Sequence, residues 1–190
     1  KRGSEIMKGY ALFTLLLFSI PASAAQRSDA PATEIVAAAP SFDPVTPQRL
    51  LNSDAEPENW LMYSGNYFSQ RYSGLDQINT GNAGQLEMQW AYQLRALDRA
   101  ETTPLVVDGI MYVTEAPSNV IALDARTGGQ YWRYNHEMPE DLTFCCGRNN
   151  RGVAVLGDRL FMITLDTHLL ALDAKTGSVL WDVEVAEEQT

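Results

Sequence analysis

Cysteine, histidine and long apolar runs are all scarce in this sequence. Its 190 residues include two cysteines, Cys145 and Cys146, and two histidines, His136 and His168. Paired CxxC zinc sites are therefore excluded, and so is a multi-disulfide scaffold. Two histidines leave little for a His-based metal centre. Basic residues are also few: 14 Lys and Arg stand against 24 Asp and Glu, a formal charge of −10. Binding to nucleic-acid phosphate is driven by Lys and Arg, so no nucleic-acid partner is expected. There is no Gly-rich phosphate loop and no Ser/His/Asp spacing of note. What is present is 45% hydrophobic residues, which rules out a wholly disordered chain.

The one apolar run lies near the start. Met7-Lys8 precedes Ala11 to Ile20, followed by Pro21 and Ala22-Ser23-Ala24. A positive start, a short apolar stretch and an A-x-A end are the parts of a cleaved secretory signal. The run is about half the ~20 residues that span a bilayer. Residues 1–24 are expected to be removed after export, with residues 1–6 lying upstream of the start at Met7. No cysteine follows to carry a lipid, so no membrane anchor is expected. Residues 25–45, rich in Ala and Pro, read as a flexible leader. Thr46-Pro47 reads as the cap and first residue of a short helix reaching Leu51. Asn59 to Gly74 reads as irregular or strand, Asn82 to Leu86 as one helical turn, and Met88 to Gln93 as a strand.

The most informative feature is an internal repeat. Val120-Ile121-Ala122-Leu123-Asp124-Ala125-Arg126-Thr127-Gly128 recurs as Leu169-Leu170-Ala171-Leu172-Asp173-Ala174-Lys175-Thr176-Gly177. Trp132 and Trp181 follow the two copies at the same offset of 49 residues. Asp108-Gly109 and Gly157-Asp158 align upstream without a gap. Each unit reads as four antiparallel strands joined by tight turns. In the first unit the strands are Leu105–Val107, Ile110–Thr114, Val120–Leu123 and Tyr131–Tyr134. Four strands at this period describe a propeller blade. The repeated Trp is expected to fill the wedge between neighbouring blades. A closed propeller needs about four to eight blades, and only two are legible. Residues 46–190 are therefore expected to be the N-terminal part of a longer all-β protein. Alone, they would leave strand edges open and fold poorly.

Three sets of residues could carry chemistry. Cys145 and Cys146 are adjacent, with Cα atoms ~3.8 Å apart, closer than the ~4.4 Å lower bound of ordinary disulfides. A bond between them would be strained, and strain marks functional sites. Two small buried thiols, or pairing of each elsewhere, remain open. Glu101 and Arg151 lie one residue apart in blade register, each just before the first strand of its blade. That strand is innermost in a propeller, so the two would meet near the axis beside Cys145 and Cys146. An acid and a guanidinium beside a flat apolar pair could hold a planar anion. A plain salt bridge is the competing reading. The remaining polar residues are weaker candidates. His136 reads as a solvated loop residue, His168 as a turn residue, and Glu137, Glu140 and Asp141 as a solvated face. Arg126 and Lys175 match each other in the repeat, which argues for a role in the turn.

The sequence resembles the N-terminal part of periplasmic dehydrogenases that use pyrroloquinoline quinone (PQQ), the methanol and ethanol dehydrogenase group. The stretches that carry the resemblance are Asn59-Trp60, Gln70-Arg71-Tyr72-Ser73-Gly74-Leu75-Asp76-Gln77-Ile78-Asn79 and Glu101-Thr102-Thr103-Pro104-Leu105-Val106-Val107. They continue in Cys145-Cys146-Gly147-Arg148-Asn149-Asn150-Arg151-Gly152-Val153-Ala154 and the Ala-Leu-Asp-Ala-Lys-Thr-Gly turn. The Cys-Cys with Asn-Arg-Gly, and an upstream Glu-x-x-Pro, is the specific part. The resemblance implies an eight-bladed propeller with PQQ near its axis. It implies a Cys145–Cys146 disulfide over one face of the quinone, with cofactor contacts from Glu101 and from Arg151 rather than Arg148. It further implies a calcium or lanthanide ion, a small alcohol substrate and a c-type cytochrome acceptor. A homodimer is compatible with it. The family's metal ligands, its catalytic Asp and its stacking Trp would lie beyond Thr190. The alternative is a non-enzymatic periplasmic propeller scaffold sharing the turn motif. Such scaffolds need neither the cysteine pair nor the axial Glu and Arg.

Overall fold

Asp108 and Gly109 both take positive φ, 48° and 86°. That geometry turns an antiparallel pair tightly with the right twist. It joins β2 (Leu105–Val107) to β3 (Ile110–Glu115). In the computed structural model, which describes residues 33–97, 99–139, 142 and 147–186, this hairpin opens the first of two like units. β4 (Asn119–Asp124) and β5 (Gln130–Tyr134) complete it. The second unit comprises β6 (Ala154–Leu156), β7 (Arg159–Ile163), β8 (His168–Asp173) and β9 (Val179–Glu184). Each is an antiparallel meander with its first strand at one edge. A register shift falls at Ala122/Leu123 in one and at Ala171/Leu172 in the other, again 49 residues apart.

The repeated turn works as its residues demand. Asp124 Oδ1 accepts from the backbone N–H of Arg126 and Thr127 at 2.8 and 3.1 Å. Asp173 Oδ1 does the same for Lys175 and Thr176 at 3.0 and 2.8 Å. Gly177 follows at φ 71°. The Trp132 ring lies directly on it, and an added Cβ would sit 2.4 Å from Trp132 Cε3. The indole N–H donates to Ala174 O at 3.1 Å, and Tyr112 O–H donates to the same oxygen at 3.0 Å. Trp132 thus joins the first blade to the second, filling the wedge as expected. Around it the apolar face of one sheet, with Leu105, Ile110, Tyr112 and Val120, meets Leu160, Leu170 and Leu172 of the other.

The stretch expected as a strand at Met88–Gln93 has no regular secondary structure and forms no ladder among the described residues. It is held by side chains instead. Trp90 lies on Gly128 and donates to Ala125 O at 3.2 Å, repeating the Trp132 contact one blade earlier. Tyr92 and Leu94 pack on Val113, Ile121 and Leu123. Beyond them Glu115 accepts the backbone N–H of Ala96 at 2.8 Å and pairs with buried Arg133. The spacing from Trp90 to Trp132 is 42 residues rather than 49, so the third copy of this contact escapes a search at fixed period.

The expected flexible leader also differs over residues 33–45. β1 (Thr33–Ile35) adds a fifth strand beside β5. Thr33 Oγ1 then donates to Gly177 O at 3.0 Å, and Ala39 N donates to Lys175 O at 2.9 Å. Val45 exchanges two backbone hydrogen bonds with Gly157. Ala39 and Val45 are buried. An Ala- and Pro-rich composition does not prevent ordering when a sheet edge and a turn offer backbone partners. The segment straps the first blade to the second. It leads into α1 (Pro47–Leu51), capped by Thr46 Oγ1 accepting from Arg49 N at 3.2 Å. Arg49 then binds Glu56 and Asp108 at 2.6 and 2.9 Å. Ala83–Gln85 forms the expected single turn. Residues 59–74 are irregular, with one bridge from Trp60 to Val106 that lays this segment along the free edge of β2.

Candidate functional site

The starts of β2 and β6 come together where the two blades adjoin. Arg151 Nη2 lies 3.0 Å from Glu101 Oε2, and the backbone N–H of Thr103 donates to Arg151 O at 3.1 Å. Gly152 takes φ 136°, and a Cβ there would meet Thr103 O at 3.2 Å. The absence of a side chain thus lets the two inner strands approach. Asn150 fixes the bend. Its Oδ1 accepts from Gly152 N at 3.1 Å and its Nδ2 donates to Ile163 O at 3.0 Å. Thr114 Oγ1 donates to Asn150 O at 3.0 Å.

The pairing of Glu101 with Arg151 is as expected from blade register. The pair is not sealed: the Arg151 side chain is 65% exposed and that of Glu101 35%. An open groove of about 410 Å³ lies beside it, bordered by Tyr63, Thr103, Asn149, Arg151, Ile163 and Leu165. Asn149 Oδ1 is buried yet has no hydrogen-bond partner among the described residues. Buried acceptors are rarely left so, and this one could take an N–H from a ligand. A groove with a guanidinium, a carboxylate and a free acceptor suits a planar polyanion carrying an N–H, which is the donor and acceptor pattern of PQQ. Cys145, Cys146, Glu140 and Asp141 lie outside the described residues, as does the expected signal segment.

At the same end of the two sheets a buried cluster replaces the expected solvated loop. His136 Nε2 lies 2.8 Å from Asp166 Oδ1, and both side chains are less than a tenth exposed. Tyr134 O–H sits 3.0 Å from His136 Nδ1. Burial pushes the Tyr134 phenol up to about 12. Burial also works against the Asp166 carboxylate, but hydrogen bonds from Thr164 and His136 outweigh it and hold its pKa below the ordinary value. The local polarity of Asn135-His136-Glu137 points to solvent, but the fold buries His136. Its partner, Asp166, is 30 residues away on the next blade. His168 opens β8 rather than sitting in the turn, and its Nδ1 pairs with Asp182 across the ladder at 2.6 Å. Among the described residues no three His, Cys, Asp or Glu side chains are grouped to hold a metal. No described helix is long and apolar enough to cross a membrane.

Repeated four-stranded blades with interlocking tryptophans and a polar inner edge define a β-propeller. Residues 60–183 match the PQQ family described as "Glucose/ethanol/alcohol dehydrogenase, beta-propeller domain", and the chain belongs to that family. It is 44% identical over 140 residues to the dehydrogenase subunit of a quinone alcohol dehydrogenase from Acetobacter aceti, covering 73% of this chain and 19% of that one. The quinohemoprotein alcohol dehydrogenase ADHIIG of Pseudomonas putida HK5 superposes with a TM-score of 0.71 at 41% identity, over 76% of this chain and 22% of that one. A europium-containing methanol dehydrogenase gives 0.68 at 37% identity, over 74% and 25%. The chain spans about a fifth to a quarter of the length of the relatives it matches.

Proposed function

We propose that this chain is the N-terminal part of a PQQ-dependent alcohol dehydrogenase and supplies one wall of its cofactor site. The supporting observation is the meeting of Glu101 and Arg151 at the inner edges of adjacent blades, beside a groove with a buried acceptor that is unpaired among the described residues. PQQ, when bound, supplies the two-electron acceptor for hydride from the alcohol. Arg151 presents a planar fork suited to a carboxylate. Glu101 accepts from Arg151 and fixes its direction. Asn150 holds the backbone that carries Arg151, and Asn149 Oδ1 accepts an N–H. The adjacent Cys145 and Cys146, joined as a disulfide, would lie against the bound cofactor and exclude water from it. The catalytic base and the calcium or lanthanide ligands belong to the remainder of the longer protein, and electrons leave to a c-type cytochrome. Residues 1–24 are a cleaved signal, and the protein works in the periplasm. No observation here favours the scaffold reading.

The test is dye-linked alcohol oxidation by the exported full-length gene product, supplied with PQQ and either calcium or a lanthanide. Activity that falls in Cys145→Ser, Glu101→Ala and Arg151→Ala is expected. Intact-mass analysis of the peptide bearing Cys145 and Cys146 should show it lighter by two hydrogens than its reduced form. A well-folded protein that neither binds PQQ nor oxidises alcohols would refute the proposal.

A further inference from the structure

Glu101 neutralises Arg151, so that pair contributes no net charge to the groove. PQQ carries three carboxylates, and holding it calls for a further cation. Arg71 is such a cation. Its guanidinium lies 4.9 Å from the centre of the Tyr63 ring, and Tyr63 borders the groove beside Thr103 and Arg151. Among the described residues no carboxylate lies within ion-pair distance of Arg71. Several other arginines do have one: Arg49 has Glu56 and Asp108, Arg95 has Glu34, and Arg133 has Glu115.

The backbone is bent to bring Arg71 there. Ser69 and Arg71 take φ 56° and 52°, the left-handed region that non-glycine residues seldom occupy. Such strain persists where surrounding contacts impose it. Here Ser69 N donates to Asn66 O at 3.1 Å, and Arg71 N donates to Ser64 O at 3.2 Å. Phe68 N donates to Asn66 Oδ1 at 3.0 Å, and Asn66 Nδ2 donates to Asp54 Oδ1 at 2.8 Å. The Tyr63 phenol is held below its ordinary value by Arg71 first, then by Thr103, with Arg151 adding at longer range.

We propose that Arg71, oriented by the Tyr63 ring, binds a carboxylate of the quinone cofactor other than the one held by Arg151. This rests on the PQQ reading of the groove. The experiment is PQQ titration of the full-length apoprotein, by equilibrium dialysis and tryptophan quenching, at low and high salt. Hydrogen bonds to charged groups set the scale, so Arg71→Gln should weaken binding roughly 10- to 100-fold and flatten its salt dependence. Arg71→Lys should recover part of the affinity, because it keeps the charge but not the fork. Tyr63→Phe should keep the ring contact and lose only a few-fold. Melting curves and near-ultraviolet dichroism matching the parent protein would show that the variants are folded. Parent-like affinity and salt slope in Arg71→Gln, with binding weakened in Arg151→Gln, would overturn this proposal and leave the cofactor reading standing. Failure of the parent protein to bind PQQ would overturn both.

Discussion

Gly177→Ala should be far more damaging than Gly157→Ala, although both glycines have nearly the same backbone conformation. Their φ values are 71° and 66°. Alanine costs about 1–2 kcal/mol at either position because its Cβ crowds the following carbonyl in the left-handed region. At Gly157 nothing lies within 4 Å of the new Cβ, so the cost ends there. At Gly177 the Cβ would sit 2.4 Å from Cε3 and 2.7 Å from Cδ2 of Trp132. The ring must retreat by about 1 Å to reach van der Waals contact. It is fully buried and bonded to Ala174 O. Overpacking of this kind costs about 1–3 kcal/mol, and the weakened hydrogen bond about 1 kcal/mol more. The total for Gly177→Ala is about 3–6 kcal/mol. The assay is equilibrium unfolding in urea of the full-length protein, followed by tryptophan fluorescence. Combining Gly177→Ala with Trp132→Leu should cost less than the sum of the two alone, because the smaller side chain relieves the overlap. Equal losses for Gly177→Ala and Gly157→Ala would refute the claim that the indole sits on this turn.

Arg151→Gln should shift the melting temperature by little, since a pair this exposed contributes at most about 1 kcal/mol, while PQQ affinity measured on the same sample falls at least tenfold. His136→Ala should cost about 3 kcal/mol in urea unfolding, because it takes the histidine partner from the buried Asp166 carboxylate. The Asp182 hydrogen bond holds the His168 pKa above its ordinary 6.5, with burial working the other way. Asp182→Asn should therefore lower the pKa read from the His168 ring by nuclear magnetic resonance. A raised pKa stabilises the fold on the acid side. The stability lost in Asp182→Asn should be largest below pH 6.5 and vanish as pH rises through the raised value.

The blades were legible because their strands are short, local and written twice. A hairpin turn, an Asp that caps its own backbone and a Trp at a fixed offset are each decided within about ten residues. Contacts that cross between blades were legible only where the repeat itself fixed them, as for Trp132 and for Glu101 with Arg151. Asp166 is what buries His136, and no pattern around His136 announces it. Residues 33–45 look like a linker because their ordering depends on the backbone of β5 and of the second blade's turns, not on their own side chains. Trp90 was hidden by a seven-residue change of spacing. Tyr63 and Arg71 lie in an irregular segment, where neither periodicity nor a repeat partner draws attention to them.

The repeat also falls out of step where the candidate site lies. In the first blade Thr102 fastens the start of β2, its Oγ1 accepting from Thr114 N at 3.0 Å. Forty-nine residues on, Thr114 corresponds to Ile163 and Thr102 to Arg151. Yet the side chain that reaches Ile163 is that of Asn150, one residue earlier. Successive side chains on an extended strand point to opposite sides. Moving the fastening residue from Thr102 to the equivalent of Glu101 frees its neighbour. The free residue precedes the fastener in the first blade and follows it in the second. Glu101 and Arg151 are thereby turned toward one another across the junction and not stacked in equivalent positions. A strict repeat would have placed like beside like at this edge. The single-residue slip places an acid against a guanidinium and leaves both open to the groove.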